Sequence, residues 1–203
     1  HPIPRRQRQM CIRDSYIFEG KIEVTPEIDA KVIGGANKSL DSAVAMETNY
    51  GAITNKEYPL DSQLKKLQML IGDYFYKEVS KVLPLHERNL SVLNPYLISL
   101  KPGHIFPVNL DKERWYNCAI WLQHTKGGDL YFENFGAKLF ATPNLLQGDN
   151  YVVKARKHKI VFWPSHIPWG LTVNQGRADH ILFSCSFIAP MKPEYRKKIS
   201  GKA

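Results

Sequence analysis

The chain reads as a mainly β domain, an all-β sandwich or barrel with a helix packed on it, and three stretches predict this. Trp115–Asn134, WYNCAIWLQHTKGGDLYFEN, has an apolar run from Cys118 to Leu122. A polar turn with Gly127 and Gly128 follows, then the alternating Leu130, Tyr131 and Phe132, so the segment is two strands and a connection. HKIVFWPSHIPWG repeats the logic, with a β-rich run from Ile160 to Trp163 stopped by Pro164 and Pro168. DHILFSCSFIAP supplies a last long strand ended by Pro190. Short strands separated by turn residues, with no helical period among them, define the class.

The amino-terminal part is less regular. Residues 5–15, RRQRQMCIRDS, combine charge with no usable apolar period and resemble sequencing-adaptor read-through, so residues 1–15 are expected to be a non-native or disordered leader. Tyr16–Val24 alternates well enough for a first strand or strand pair. Between Thr25 and Tyr58 the pattern is weak, and SLDSAVAMETNYG is read as a short helix capped by Ser39 and stopped by Gly51. After Pro59, Asp61 or Ser62 caps a clearer helix, in which Leu64, Leu67, Leu70, Ile71, Phe75, Val79 and Val82 recur until Pro84. Its one apolar face needs a sheet to cover.

Leu93–Leu100 leads into a turn at Pro102 and Gly103, and Pro107 restricts hydrogen bonding to one edge. Residues 134–147 read as a loop around a short strand at Lys138–Ala141. Tyr151–Ala155 and Lys159–Trp163 form two strands about the basic turn Arg156, Lys157, His158. The expected organisation is one domain over residues 16–190, with a core at about 97–188 and a basic tail over 191–203.

Composition narrows the function classes. Hydrophobic content of 43% with 23% charged residues is that of a folding globular chain. No apolar run approaches the ~20 residues of a membrane helix, so a soluble, cytoplasmic protein with no membrane partner is expected. Three cysteines, two of them inside strand patterns, argue for small buried hydrophobes over a disulfide framework. The net charge of +9 sits mostly at the ends: residues 5–15 hold four arginines against Asp14, and residues 192–203 hold five cations against Glu194. That distribution argues against a nucleic-acid partner.

In a small antiparallel barrel, residues i and i+2 of a strand face the same way, which places Asn109 and Asp111 together. His166, Trp169, Arg177 and His180 come from strands near the other end of the sequence. A carboxylate from one strand and an imidazole from another, brought to one mouth, assemble a facial metal site. The same residues also have plain readings. Asp111 followed by Lys112, Glu113 and Arg114 is an ordinary turn, and His104, His124, His158 and His166 are rim histidines. Trp115, Trp121, Trp163 and Trp169 are core or rim packing, or an aromatic mouth that stacks a planar ligand.

Residues 97–188 resemble the double-stranded β-helix, a jelly-roll or cupin-like barrel, of the iron(II)- and 2-oxoglutarate-dependent oxygenases, in particular the prolyl-hydroxylase-like branch common in phage and marine bacterial genomes. The resemblance lies in YNCAIWLQ, the GGDLYF after it, and FWPSHIPWGLTVNQGRADHILFSCSF. It implies Fe(II) and 2-oxoglutarate as cofactors and hydroxylation of a small-molecule, peptide or nucleobase substrate. The family binds iron with a His-x-Asp pair and a later His, which fall on Asn109, Asp111 and Trp169, so two of three ligands are substituted. A shifted reading takes Asp111 and His166 as the metal ligands, with His104 or His124 supplying a further imidazole. Arg177 or His180 then anchors 2-oxoglutarate, with Asn117 beside it. Two functions follow: an oxygenase, or a catalytically inactive, metal-free binding module that keeps the barrel.

Overall fold

The computed structural model describes residues 10–12, 15–41, 46–47, 52–54, 62–81, 91–110, 114–133 and 151–188. In order, the elements are β1 (Met10–Ile12), β2 (Ser15–Lys21), α1 (Pro26–Leu40), β3 (Met46–Glu47), β4 (Ala52–Thr54) and α2 (Ser62–Tyr74). Then come β5 (Ser91–Leu100), β6 (Phe106–Asn109), β7 (Tyr116–Gln123), β8 (Leu130–Phe132), β9 (Tyr151–Val153), β10 (Lys159–Pro164), β11 (Trp169–Leu171) and β12 (His180–Ile188). A π-helical turn, Phe75–Val79, continues α2.

The strands form two antiparallel sheets. The larger has the order β1-β2-β10-β7-β12-β5-β4-β3 and the smaller β6-β11-β8-β9. Their facing surfaces enclose one core, which includes Ile98, Ala119, Trp121, Val161, Trp163, Trp169 and Leu182. The opposite face of the larger sheet makes a second core with the helices, through Cys118, Ile120, Phe162, Phe183 and Phe187 against Leu64, Leu67, Ile71, Phe75 and Val79. Burial on both faces explains why β7, β10 and β12 read as nearly continuous apolar runs rather than alternating ones.

The helix read from Leu64, Leu67, Ile71, Phe75 and Val79 is present, and those five side chains are buried in one stripe. Leu70 lies off the stripe and is 43% exposed. Val82, Pro84 and Asp61 are outside the described residues. Phe75 is the centre of the helix-to-sheet contact, stacked on Phe187 at 4.2 Å between ring centroids and tilted against Phe162 at 5.5 Å.

The first helix corrects the expected one. It runs from Pro26 to Leu40 rather than beginning at Ser39. Thr25 caps it by accepting a hydrogen bond from the Ile28 N–H at 3.4 Å, and Pro26 opens its first turn. Gly34 and Gly35 disguise it in the sequence, because paired glycines are costly inside a helix. Gly35 and Ala36 are buried, and such small residues let the helix approach its neighbours closely. The chain after Asp41 returns at Met46–Glu47 as a strand. At the amino terminus Met10–Ile12 pairs antiparallel with Ser15–Ile17 at the sheet edge. The expected strand at Lys138–Ala141 lies outside the described residues.

Among the described residues no helix is long and apolar enough to cross a membrane. Cys118 and Cys185 are directly opposed across β7 and β12, and both are buried free thiols. Burial and the neighbouring Cys185 push the Cys118 thiol well above its ordinary pKa, so the pair packs as small hydrophobes.

Candidate ligand site in the barrel

Alternation along the strands decides which polar groups enter the space between the sheets. On β7, Tyr116, Cys118, Ile120 and Leu122 face the helices, so Asn117, Ala119 and Trp121 face inward. On β10, Trp163 is inward and directly opposite Asn117. On the smaller sheet Trp169 of β11 is inward and directly opposite Asn109 of β6. The Trp163 and Trp169 rings meet edge to face, with centroids 5.2 Å apart, and Phe106 stacks on Trp169 at 5.3 Å. Two Asn–Trp pairs, one from each sheet, are therefore joined through their indoles at one end of the barrel.

The chemistry of this cluster is one-sided. Asn109 Nδ2, Asn117 Nδ2, Trp163 Nε1 and Trp169 Nε1 are all buried without a hydrogen-bond partner. The Asn117 amide is oriented by Ser186, whose Oγ donates to Asn117 Oδ1 at 2.9 Å and so leaves the NH2 group to face inward unpaired. Each unpaired buried donor costs about 1–3 kcal/mol. Four together cost about as much as the ~5–15 kcal/mol by which a whole domain is stable. Ordered water or a ligand with acceptors satisfies such donors.

The other sequence-predicted residues that the structure describes lie elsewhere. His166 is exposed in the turn between β10 and β11. It has not exchanged places with Trp169, which holds the inward position. Arg177 is exposed in the turn before β12. His104 is exposed, and its Nδ1 donates to the Pro102 carbonyl at 3.0 Å. Asp111 is outside the described residues.

His180 opens β12 and is fully buried. Its Nε2 accepts from the Thr125 backbone N–H at 3.3 Å and lies 3.0 Å from Thr125 Oγ1, while its Nδ1 is buried and unpaired. Gly128 makes the space: its φ is +63°, and a Cβ there would run into His180 Nδ1. The ring lies 4.8 Å from that of His124, whose Nε2 donates to the Gly127 carbonyl at 3.1 Å. Burial first, and His124 second, lower the His180 pKa from 6.5 to about 4, so the imidazole is neutral. His180 and Asn117 are not neighbours. Asn117 is opposite Ser186, six residues along β12 from His180, which is roughly 20 Å of strand.

The described residues do not fit an iron centre. Iron(II) needs lone pairs: at the substituted ligand positions the Trp169 indole offers only an N–H, and the Asn109 carboxamide oxygen is a weak, neutral ligand. Among the described residues no three His, Cys, Asp or Glu side chains are grouped to hold a metal. Neither His180, which is neutral, nor Arg177, which is exposed, presents a buried cation to a 2-oxoglutarate carboxylate. Sequence reasoning singled out Asn109, Asn117 and Trp169 but read Trp163 only as packing or as part of an aromatic mouth. The signal that finds it is a polar residue, Asn117, in an otherwise apolar strand, and the question of what lies opposite.

No protein-family model matches the chain, and no curated protein does. Solved structures do. A prolyl-4-hydroxylase from Pseudomonas putida superposes with a TM-score of 0.62 at 12% identity, covering 86% of this chain and 93% of that one. SnoK, a non-heme α-ketoglutarate-dependent carbocyclase of nogalamycin biosynthesis, gives 0.63 at 10% identity over 84% and 78%. A prolyl hydroxylase from Trichoplax adhaerens, solved with a hypoxia-inducible-factor peptide, gives 0.60 at 10% identity over 91% and 86%. The two facing antiparallel sheets with helices against the larger are thus the jelly-roll-like barrel fold that prolyl hydroxylases and other 2-oxoglutarate/Fe(II)-dependent oxygenases share.

Proposed function

We propose that this chain is a metal-free binding module built on the oxygenase fold. The observation that carries the reading is the directly opposed Asn109 and Trp169, inward on adjacent strands at the two positions where the resemblance implies histidine ligands. Replacing two imidazoles by a carboxamide and an indole leaves one weak neutral oxygen in place of one nitrogen ligand and an N–H that offers no lone pair in place of the other, and it sets a stacked ring at the second position. Iron loses its ligands, and the barrel keeps a cluster of buried polar groups. The exposure of His166 counts against the shifted ligand set. The module is proposed to occupy residues 16–190, with 191–203 a basic tail.

The test is iron(II) calorimetry under anaerobic conditions. The wild-type protein should bind none, whereas the double variant Asn109→His, Trp169→His should gain binding by restoring imidazoles at the two positions where the resemblance implies them. Stoichiometric iron on the wild type, lost in Asp111→Ala and in His166→Ala, would reinstate the oxygenase reading with Fe(II) and 2-oxoglutarate as its cofactors.

A further inference from the structure

We infer that the paired Asn–Trp cluster is a binding site for a carboxylate, held by four uncharged N–H donors between the two sheets. The inference rests on the metal-free reading above and names the chemistry of its ligand. Asn109 Nδ2, Trp169 Nε1, Trp163 Nε1 and Asn117 Nδ2 are buried donors without a hydrogen-bond partner. Asn117, Trp163 and Trp169 are each 1% exposed or less. Their positions are fixed by neighbours: Asn117 by the Ser186 hydroxyl and Trp169 by Phe106 on one side and Trp163 on the other.

Four unpaired N–H donors select their guest. Ammonium or guanidinium groups have no lone pair to offer, and a primary amide presents two N–H groups of its own to donors that cannot accept them. An ionised carboxylate accepts only, and its two oxygens carry about four lone-pair sites for the four donors here. It is planar, as are the indole walls, and hydrogen bonds to a charged acceptor are the stronger kind. The charge of the occupant is met by N–H dipoles rather than by a cation. Ordered water is the rival occupant, since it also accepts.

The experiment follows tryptophan emission and heat on titrating the full chain with acetate, acetamide and inorganic phosphate in the presence of a chelator. Acetate should saturate and shift the emission. Acetamide, the same shape with two donors, should bind at least tenfold more weakly, and phosphate should bind more weakly than acetate. Trp169→Phe keeps the ring and removes its N–H, and Asn117→Ser shortens the donor. Each should weaken acetate at least tenfold while circular dichroism remains native. If a variant fails to fold, the comparison of acetate with acetamide on the wild type still decides. Equal, unsaturable responses to all three probes, or acetate binding unchanged in both variants, would overturn the carboxylate site and leave water as the occupant. Those failures leave the metal-free reading standing. Acetate binding that appears only when iron(II) replaces the chelator would instead overturn both.

Discussion

Lowering the pH from 7 to 4 should destabilise this protein through His180. The imidazole is fully buried, and its pKa is lowered from 6.5 to about 4 by burial, and next by His124 with its ring 4.8 Å away, against the opposing pull of Asp129 and Asp179. Between those two pH values the unfolded chain takes up a proton that the folded chain refuses, so stability falls as pH falls and levels off below about 4. At 1.36 kcal/mol per pH unit the gap corresponds to roughly 3 kcal/mol. Urea unfolding followed by fluorescence at half-unit pH steps measures it, with His180→Gln as the reference that carries the remaining titrations. The wild type should lose roughly 3 kcal/mol more than the variant. Parallel curves for the two proteins, or an NMR titration placing the folded His180 near 6.5, would refute the argument.

Three further substitutions probe the scaffold. Gly128→Ala adds a methyl against His180 at a backbone φ of +63° and should lower the unfolding free energy by about 1–3 kcal/mol, read from the urea midpoint. Phe75→Ala empties the centre of the helix-to-sheet core and should cost about 3–5 kcal/mol, with a matching fall in Tm. Asp29 on α1 pairs with Lys157 at 2.5 Å and His158 at 2.7 Å, in the turn before β10. Burial pushes its carboxyl upward, but the hydrogen bonds and charges of Lys157 and His158 outweigh burial and hold it below the usual value. The stability this supplies is present above the unfolded carboxyl pKa and is lost as pH falls through the folded one, so Asp29→Asn should flatten the acid limb of the stability profile below pH 4.

The strands that build the barrel are legible because their code is local. Cys118–Leu122 and Ile181–Phe187 carry apolar density, and Pro164, Pro168, Gly127 and Gly128 punctuate them. Burial on both faces removes the alternation that would have told inward from outward residues, so the faces emerge only with the helices in place. The first helix was hidden for an energetic reason: Gly34 and Gly35 carry poor propensity, and packing of Val32 and Ala36 outweighs it. The site divides in the same way. Asn109 and Trp169 are recognisable by their place in a resembling pattern. The partnership of Asn117 with Trp163 depends on the β7–β10 register, a long-range choice that no single strand encodes.

The larger sheet closes at each side on short strands, Met10–Ile12 beyond Ser15–Lys21 and Met46–Glu47 beyond Ala52–Thr54. These margins act as insulation. A three-residue or two-residue border offers too few free peptide groups to template a strand from another molecule. Inside the border stands β10, whose Ile160, Val161, Phe162 and Trp163 form the kind of apolar, β-prone stretch that recruits its own likeness when laid bare. Glu19 on β2 binds both the Tyr151 hydroxyl and Lys159, at 2.6 Å each, and so rivets that cover in place. Trimming the amino terminus as far as Lys21 would thus remove more than two strands: it would uncover a sticky seam and turn a self-contained barrel into a monomer unit for aggregation.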